Sequence, residues 1–259
     1  MSVWQVLVFS IVEGLTEFLP VSSTAHLILT ARFLGVAQSE FVKLFEVVIQ
    51  FGAILAVVLL YSKMVLKNKK LFFLIMASLI PTVVVGFLLY SVIKNVFFES
   101  LSLIALSLFV GGVLFLLVEY LVAVNYIKLS LTKDSLSWSS AVIIGLAQSL
   151  AVVPGVSRAG AVILCMLMLG YKRKTAVEYS FLLSVPTIAL ASGYDLYKTA
   201  SYIKFARAEI FLILLGVVLS FVSAYFVIKL FLDFVKKHSL TVFGFYRIAL
   251  AVLLWLFFS

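Results

Sequence analysis

The chain contains 259 residues, of which 64% are hydrophobic and 12% are charged, and its mean hydropathy is +1.25. Soluble domains are close to half apolar and a quarter charged, so this composition excludes an ordinary soluble domain and indicates a helical protein that crosses a membrane several times. The net charge of +9 does not indicate nucleic-acid binding, because most lysines and arginines lie in short loops between apolar runs, as is typical of loops that face an anionic membrane surface.

The first predicted element, residues 2–35, consists of two short apolar pieces joined by the proline-bearing loop FLPVSST. Each piece is too short to cross a hydrocarbon core of about 30 Å as a helix, so we predict a re-entrant helical hairpin. The chain start lacks a basic segment and carries Glu13 where a signal peptide would be apolar, so we expect mature protein there.

A second broken region, residues 137–170, contains the loop VVPGVSR and has the same two-piece pattern. The remaining apolar runs are long enough to cross the membrane. We therefore predict an all-α polytopic membrane protein with two re-entrant helical hairpins and six transmembrane helices, at about 42–62, 71–92, 101–123, 179–197, 210–231 and 241–258.

The two broken regions resemble each other in sequence. Gly14–Glu17 aligns with Gly145–Gln148, Pro20–Ser23 aligns with Pro154–Ser157, and both regions end in Leu-Gly. Each is followed by three spans, so the second half enters the membrane from the opposite side. We predict one membrane domain built from an inverted-topology repeat, with halves at about 1–125 and 136–259.

Loop charges predict which side of the membrane each loop faces. Most of the basic loops fall together on one side of the membrane, which we assign to the cytoplasm. One loop, 198–208, is an exception, because it carries basic residues on the side that is then external. The first hairpin then opens outward, the second opens inward, and the C-terminus is external. The loops that support this orientation are 63–70, the loop with Lys128 and Lys133, 171–174 and 234–238.

The first break places acids, hydroxyls and a histidine in the segment EGLTEFLPVSSTAH, residues 13–26. Glu13 and Glu17 are four residues apart and therefore share one face of a helix. Two carboxylates inside a membrane are costly unless a cation or a shared proton compensates them. A divalent cation would suit them, Mg²⁺ in the first place and Ca²⁺ as an option, with substrate phosphates completing its ligands. The structural alternative places Glu13 in water at the membrane interface.

Three hydroxyl residues, Ser22, Ser23 and Thr24, follow Pro20 at the predicted start of a half-helix. A hydroxyl there caps the helix, and the helix N-terminus offers N–H donors and a positive dipole end to an anion. His26 lies three residues after Ser23 and reaches the same pocket, so we favour a catalytic role for it over core packing.

The second break supplies a positive charge. In PGVSRAG, Gly155 permits close backbone approach, Ser157 is placed to cap the next half-helix, and Arg158 offers a planar fork of donors that suits phosphate. An ion pair between Arg158 and a glutamate that only clamps the hairpins is the structural alternative. Spacing assigns no chemistry to the other charges within spans, namely Glu46, Glu178 and Arg247.

The two break motifs, together with FEVVIQFGAILAV and EYSFLLSVP, resemble the undecaprenyl pyrophosphate phosphatase family, also called bacitracin-resistance proteins, over essentially the whole chain. The resemblance implies a multi-pass enzyme of the bacterial plasma membrane with the inverted-repeat hairpin fold. It implies hydrolysis of C55-isoprenyl diphosphate to the monophosphate carrier of envelope polysaccharides, with a divalent cation and a site open to the outer face. The partners expected are the polyprenyl diphosphate lipid and the bilayer, and a homodimer is left open.

The family's functional positions fall on residues of both breaks. The resemblance assigns catalysis to Glu17, Ser23, His26 and Arg158, phosphate binding to Ser22, Thr24, Gly155, Ser157 and Arg158, and the metal to Glu13 and Glu17. The chain departs from the family pattern PGxSRSGxT, because Ala159 replaces a serine and Val162 a threonine. We assign no role to those two positions.

Several alternatives stay open at this point. The nucleophile is either Ser23 with His26 as its base, or a water activated by His26 or a glutamate. A flippase or transporter for a polyprenyl phosphate is the alternative function, because inverted repeats are common in transporters. A purely structural scaffold fits poorly with so many ionisable groups at membrane depth.

Overall fold

The computed structural model describes residues 1–89, 100–200 and 207–258. These residues form α-helices with short connections and contain no β-strand, so the predicted all-α polytopic class is confirmed. In chain order the helices are α1 (Val3–Thr16), α2 (Ser23–Phe33), α3 (Glu40–Lys67), α4 (Lys69–Leu88), α5 (Leu101–Ala123), α6 (Trp138–Ser149), α7 (Arg158–Met168), α8 (Arg173–Ala200), α9 (Arg207–Lys237) and α10 (Thr241–Phe258).

Five of the described helices are long and apolar enough to cross a membrane: α3, α4, α5, α8 and α9. The predicted span 241–258 forms α10, which is 18 residues long and is not among these five helices. The count of six transmembrane helices therefore stays a prediction. The last residues of the predicted span 71–92 and most of the loop 198–208 lie outside the described residues.

Both predicted breaks are present. The first separates α1 from α2, and the second separates α6 from α7, with a short 3₁₀ turn at Leu150–Val152 inside it. Pro20 and Pro154 stand in the two breaks, where a residue without an N–H group cannot continue a helix. The result is four half-helices of 14, 11, 12 and 11 residues, each too short to span the membrane alone.

The two C-terminal half-helices, α2 and α7, begin in the same unusual way. Ser22 and Ser157 have φ of 71° and 70°, the left-handed region, and each side chain accepts a hydrogen bond from the backbone N–H three residues ahead. The caps thus pair Ser22 with Ser157, which makes the sequence alignment of Ser23 with Ser157 wrong by one residue. The extra residue lies in the second break, and Ser23 and Arg158 occupy equivalent first positions of their helices. The full repeat, 1–125 with 136–259, stays a prediction.

Each broken hairpin packs against a long helix from the other part of the chain. Helix α1 lies along α9, and α6 lies along α4. A Cβ atom on Gly14 would lie 2.5 Å from the carbonyl oxygen of Ser220, and one on Gly145 would lie 2.2 Å from that of Ser78. Glycine is therefore required at both contacts, where it lets α1 pack closely on α9 and α6 on α4.

We predict that Gly145→Ala lowers thermal stability, because its methyl group would meet backbone and overpacking typically costs about 1–3 kcal/mol. The matched control is Gly86→Ala in α4, where a Cβ meets nothing within 4 Å and alanine favours the helix by up to about 1 kcal/mol. Unfolding midpoints of both variants in one detergent measure the difference. Equal midpoints for the two variants would contradict the packing described.

Candidate active site

The two breaks meet at the carboxylate of Glu17. Ser23 Oγ donates a 2.6 Å hydrogen bond to Glu17 Oε2, and Arg158 Nη2 lies 3.1 Å from Glu17 Oε1. The Glu17 side chain is 9% exposed and that of Arg158 is 11% exposed, so both charges are withdrawn from solvent. One carboxylate therefore joins the first position of α2 to the first position of α7.

The remaining contacts of Arg158 hold its guanidinium in place. Nη1 donates to the carbonyl oxygen of Ser180 at 2.9 Å, and Nη2 also reaches the carbonyl oxygen of Glu17 at 3.4 Å. Its Nε atom is buried and has no hydrogen-bond partner among the described residues. The ion pair foreseen as a structural alternative thus exists, and it lies in the wall of a cleft.

A cleft of about 150 Å³ opens between the two breaks. Seven of the predicted site residues line it, and neither Glu13 nor His26 does. The lining consists of Glu17, Ser22, Ser23, Thr24, Gln50, Ala151, Val153, Pro154, Gly155, Ser157, Arg158 and Ile188. Because α2 and α7 both begin here, their free backbone N–H groups and positive dipole ends favour an anion at this position.

Glu13 lies behind the cleft, beside Glu17 and fully buried. Neither of its carboxylate oxygens has a hydrogen-bond partner among the described residues. A buried carboxylate without donors is costly, and a divalent cation is one group that compensates it. The described residues contain no cluster of three or more His, Cys, Asp or Glu side chains suited to a metal. The donor set therefore fits a cation only if substrate oxygens supply further ligands.

The structure does not bring His26 to Ser23. His26 Nδ1 donates to the carbonyl oxygen of Ser22 at 2.7 Å, since a carbonyl only accepts, and Nε2 lies 2.6 Å from the hydroxyl of Tyr246. The rings of His26 and Tyr246 are stacked with centroids 5.7 Å apart. The group that contacts the Ser23 hydroxyl is the Glu17 carboxylate, which is able to accept its proton. A catalytic role for His26 stays a prediction.

Two further polar residues near the breaks received no role from the sequence. Gln50 of α3 lines the cleft. Arg247 of α10 is fully buried and donates to backbone carbonyls of both breaks. The signal in both cases is a polar side chain within a long apolar run, which is rare in membrane helices without a function.

Glu46 and Glu178, also left without a role, do not line the cleft. Glu46 Oε1 accepts a 3.2 Å hydrogen bond from Gln38, and Glu178 pairs with Lys133 at 2.6 Å and with Lys174 at 3.7 Å. Glu178 is therefore part of an ion pair between the loop before α6 and helix α8. This contact links the two segments and supplies no group to the cleft.

The arrangement suits phosphoryl transfer. It combines a hydroxyl with a carboxylate placed to accept its proton, an arginine to neutralise a polyanion, and two helix N-termini that donate N–H groups to developing negative charge. The large apolar surface around the helices, which includes Phe87, Leu88 and Leu230, is typical of lipid-facing residues. A phosphorylated lipid combines both features.

Comparison with known proteins also points to enzymes that act on a phosphorylated lipid. The family model "Bacitracin resistance protein BacA" matches residues 6–253. The chain is 42% identical to an undecaprenyl-diphosphatase of Aquifex aeolicus over 259 residues, covering 100% of this chain and 99% of that protein. It is 45% identical to the undecaprenyl-diphosphatase of Campylobacter hominis, covering 97% of each chain, and 44% identical to that of Sulfurihydrogenibium sp., covering 100% of each.

The positive φ at Ser157 generates a testable difference in stability. Ser157→Ala loses the cap, which costs about 1 kcal/mol, and keeps the left-handed backbone strain. Ser157→Gly relieves that strain, worth about 1–2 kcal/mol. We predict that the glycine variant unfolds at the higher temperature.

Ser39, which caps α3 at φ −72°, is the control. We predict a smaller difference in unfolding temperature between its glycine and alanine variants. Equal gaps at the two positions would refute the strain.

Proposed function

The chain belongs to the bacitracin resistance protein BacA family, and from this membership we infer that it is an undecaprenyl-diphosphatase. It hydrolyses undecaprenyl diphosphate to undecaprenyl phosphate and inorganic phosphate, which regenerates the lipid carrier for peptidoglycan and other envelope polysaccharides. The relatives named above are all phosphatases, and their names give no support to the flippase or transporter alternative.

The observation that carries the proposed mechanism is the position of Glu17 between Ser23 and Arg158. A diphosphate brings several negative charges into the cleft, and the N-termini of α2 and α7 both lie at this cleft. In the proposed complex, the terminal phosphate lies at these N-termini with Arg158 beside it. Ser22, Thr24, Gly155 and Ser157 line the same cleft and complete the proposed phosphate site.

In the first proposed step, Ser23 Oγ attacks the terminal phosphorus while its proton passes to Glu17 Oε2. The bond between that phosphorus and the bridging oxygen breaks, and undecaprenyl phosphate leaves. Water then attacks the phosphoserine, inorganic phosphate leaves, and Ser23 regains a proton. Arg158 and the helix N–H groups stabilise the charge that develops on the transferred group. A water molecule deprotonated by Glu17 is the alternative nucleophile.

Glu13 and Glu17 would hold a divalent cation, Mg²⁺ or Ca²⁺, which when bound neutralises charge on the diphosphate. What supports this is the pair of buried Glu13 oxygens without partners. Both Glu17 oxygens already have partners in Ser23 and Arg158. Glu13 would therefore supply the free acceptors, and Glu17 would serve both the cation site and the contact with Ser23.

We further propose that the protein lies in the bacterial plasma membrane with its cleft open to the outer face. The helices long enough to span a membrane and the apolar surface they present support a multi-pass protein. The outward orientation rests on the basic loops assigned to the cytoplasm. The substrate is a lipid that reaches the cleft from the bilayer, and nucleic acid has no part in this function. Whether the active unit is a monomer or a homodimer is left open.

Removal of the Glu17 carboxylate is predicted to abolish most of the activity. Glu17→Gln should lower the rate of phosphate release from undecaprenyl diphosphate by about 10²–10⁴-fold, the usual contribution of a general base. Arg158→Lys should lower it at least about tenfold, because an ammonium cannot reproduce the fork. Exposed residues give the controls: Glu40→Gln, which loses a surface pair with Lys43, and Arg207→Lys. Near-normal turnover in the Glu17 or Arg158 variant would refute the assigned roles.

Glu13→Gln is predicted to weaken metal dependence specifically. The half-maximal Mg²⁺ concentration for phosphate release should rise at least about tenfold, as is typical when a group of a metal site is lost. Chelation should abolish release by the unaltered protein, and added Mg²⁺ or Ca²⁺ should restore it. The control Glu40→Gln should leave the metal dependence unchanged. An unaltered metal curve for Glu13→Gln would contradict the proposed cation site.

A further inference from the structure

Arg247 lies in the second turn of α10 and is completely buried. None of the ion pairs among the described residues involves it. A buried arginine without a carboxylate is rare, because an unpaired charge inside a protein or membrane is costly. The charge must be compensated by hydrogen bonds, and the acceptors it uses are all backbone carbonyl oxygens.

These carbonyls come from both breaks. Nη1 donates to the carbonyl oxygen of Pro20 at 3.1 Å. Nη2 lies 2.9 Å from the carbonyl oxygen of Gly155 and 3.1 Å from that of Val156, with Ser107 of α5 at 3.3 Å. Carbonyls within a helix break have no helical partner, so they need a donor from elsewhere. One planar guanidinium supplies donors to both breaks at once.

The neighbouring helix makes room for this guanidinium. A Cβ atom on Gly111 of α5 would lie 2.1 Å from Arg247 Nη2 and 2.8 Å from Cζ. Glycine at 111 therefore allows the arginine to lie across α5 and reach both breaks. A methyl group there would push the guanidinium away without removing its charge.

Arg247 does not line the cleft. The segments it contacts lead directly into the reacting groups, because Pro20 precedes the Ser22 cap and Ser23, while Gly155 and Val156 precede the Ser157 cap and Arg158. A shift of either turn would move Ser23 relative to Arg158. Misplacement by about 1 Å costs a catalyst up to about 10²-fold in rate.

We propose that Arg247 is a positioning residue, whose guanidinium holds the Pro20 turn and the Gly155–Val156 turn together so that Ser23 and Arg158 face the same phosphate. This inference rests on the proposed phosphatase function for its kinetic effect and on geometry alone for its structural effect. Lysine cannot fill the role, because its ammonium is a point charge and cannot donate in two fixed directions in one plane.

The test compares Arg247→Lys and Gly111→Ala with the unaltered protein, and the matched controls are Arg207→Lys and Gly86→Ala, which do not line the cleft. Two experiments are done in detergent. The first gives kcat and KM for phosphate release from undecaprenyl diphosphate, and the second measures amide hydrogen exchange across the whole chain. Gly111→Ala keeps Arg247 and displaces it, so it remains informative where Arg247→Lys fails to fold.

We expect kcat to fall at least about tenfold in both variants with KM changed less than threefold, because the loss is in alignment rather than in binding. We expect faster hydrogen exchange in both breaks, residues 18–23 and 153–157, with α5 and α10 unchanged.

Faster exchange confined to α5 and α10 would overturn the inference, since it would mark Arg247 as a packing residue. Full kcat in Arg247→Lys would also overturn it, because charge alone would then suffice. Exchange as in the unaltered protein would refute it whatever the activity, whereas absent phosphate release by the unaltered protein would refute only the proposed function.

Discussion

The contact on which the site depends is the Glu17 carboxylate, which accepts from Ser23 on one oxygen and from Arg158 on the other. A buried ion pair adds little net stability, because the loss of hydration of both charges offsets their attraction. Its value here is alignment. Since Ser23 and Arg158 are the first residues of their half-helices, a carboxylate between them fixes the distance between two helix N-termini. The proposed nucleophile and the group proposed to neutralise the phosphate are thereby held on either side of one cleft.

Breaking two helices inside a membrane leaves backbone groups without partners, and the structure compensates them unequally. The serine caps use part of the donors of α2 and α7, and Arg247 supplies donors to the carbonyls of the preceding turns. The other N–H groups at the helix starts have no helical acceptor, which is the condition for an anion site. Strained backbone at Ser22 and Ser157 accompanies this arrangement. Strain of this kind persists where surrounding contacts hold it, and it often accompanies function.

Much of the fold could be predicted from the sequence because its signals are local. Span 101–123 agrees in both ends with α5, and both hairpin breaks lie at the prolines that define them. The serine caps also follow from short-range rules, since a hydroxyl and the N–H three residues ahead are close whenever a helix begins. An alignment of the two breaks on their prolines is wrong by one residue, because the serine caps of α2 and α7 determine the register.

Contacts between distant segments cannot be predicted from such local signals. His26 and Ser23 are one turn apart, which suggested a pair, yet the histidine turns toward Tyr246, 220 positions along the chain, and Glu17 contacts the serine. The sequence predicts that the Arg158 guanidinium binds phosphate, whereas its hydrogen bond to the Ser180 carbonyl follows only from the packing of α7 on α8. Arg247 is the clearest case, because the carbonyls that it contacts carry no mark in the sequence.

The measurement that tests the central claim most directly follows the terminal phosphate in a single turnover. Enzyme in excess is mixed with undecaprenyl diphosphate labelled in that phosphate, quenched in acid at short times and digested. If Glu17 activates Ser23 as the nucleophile, label appears on Ser23 before it appears as inorganic phosphate, and Ser23→Ala yields neither. Label that passes straight to inorganic phosphate, together with near-normal turnover by Ser23→Ala, would contradict the account.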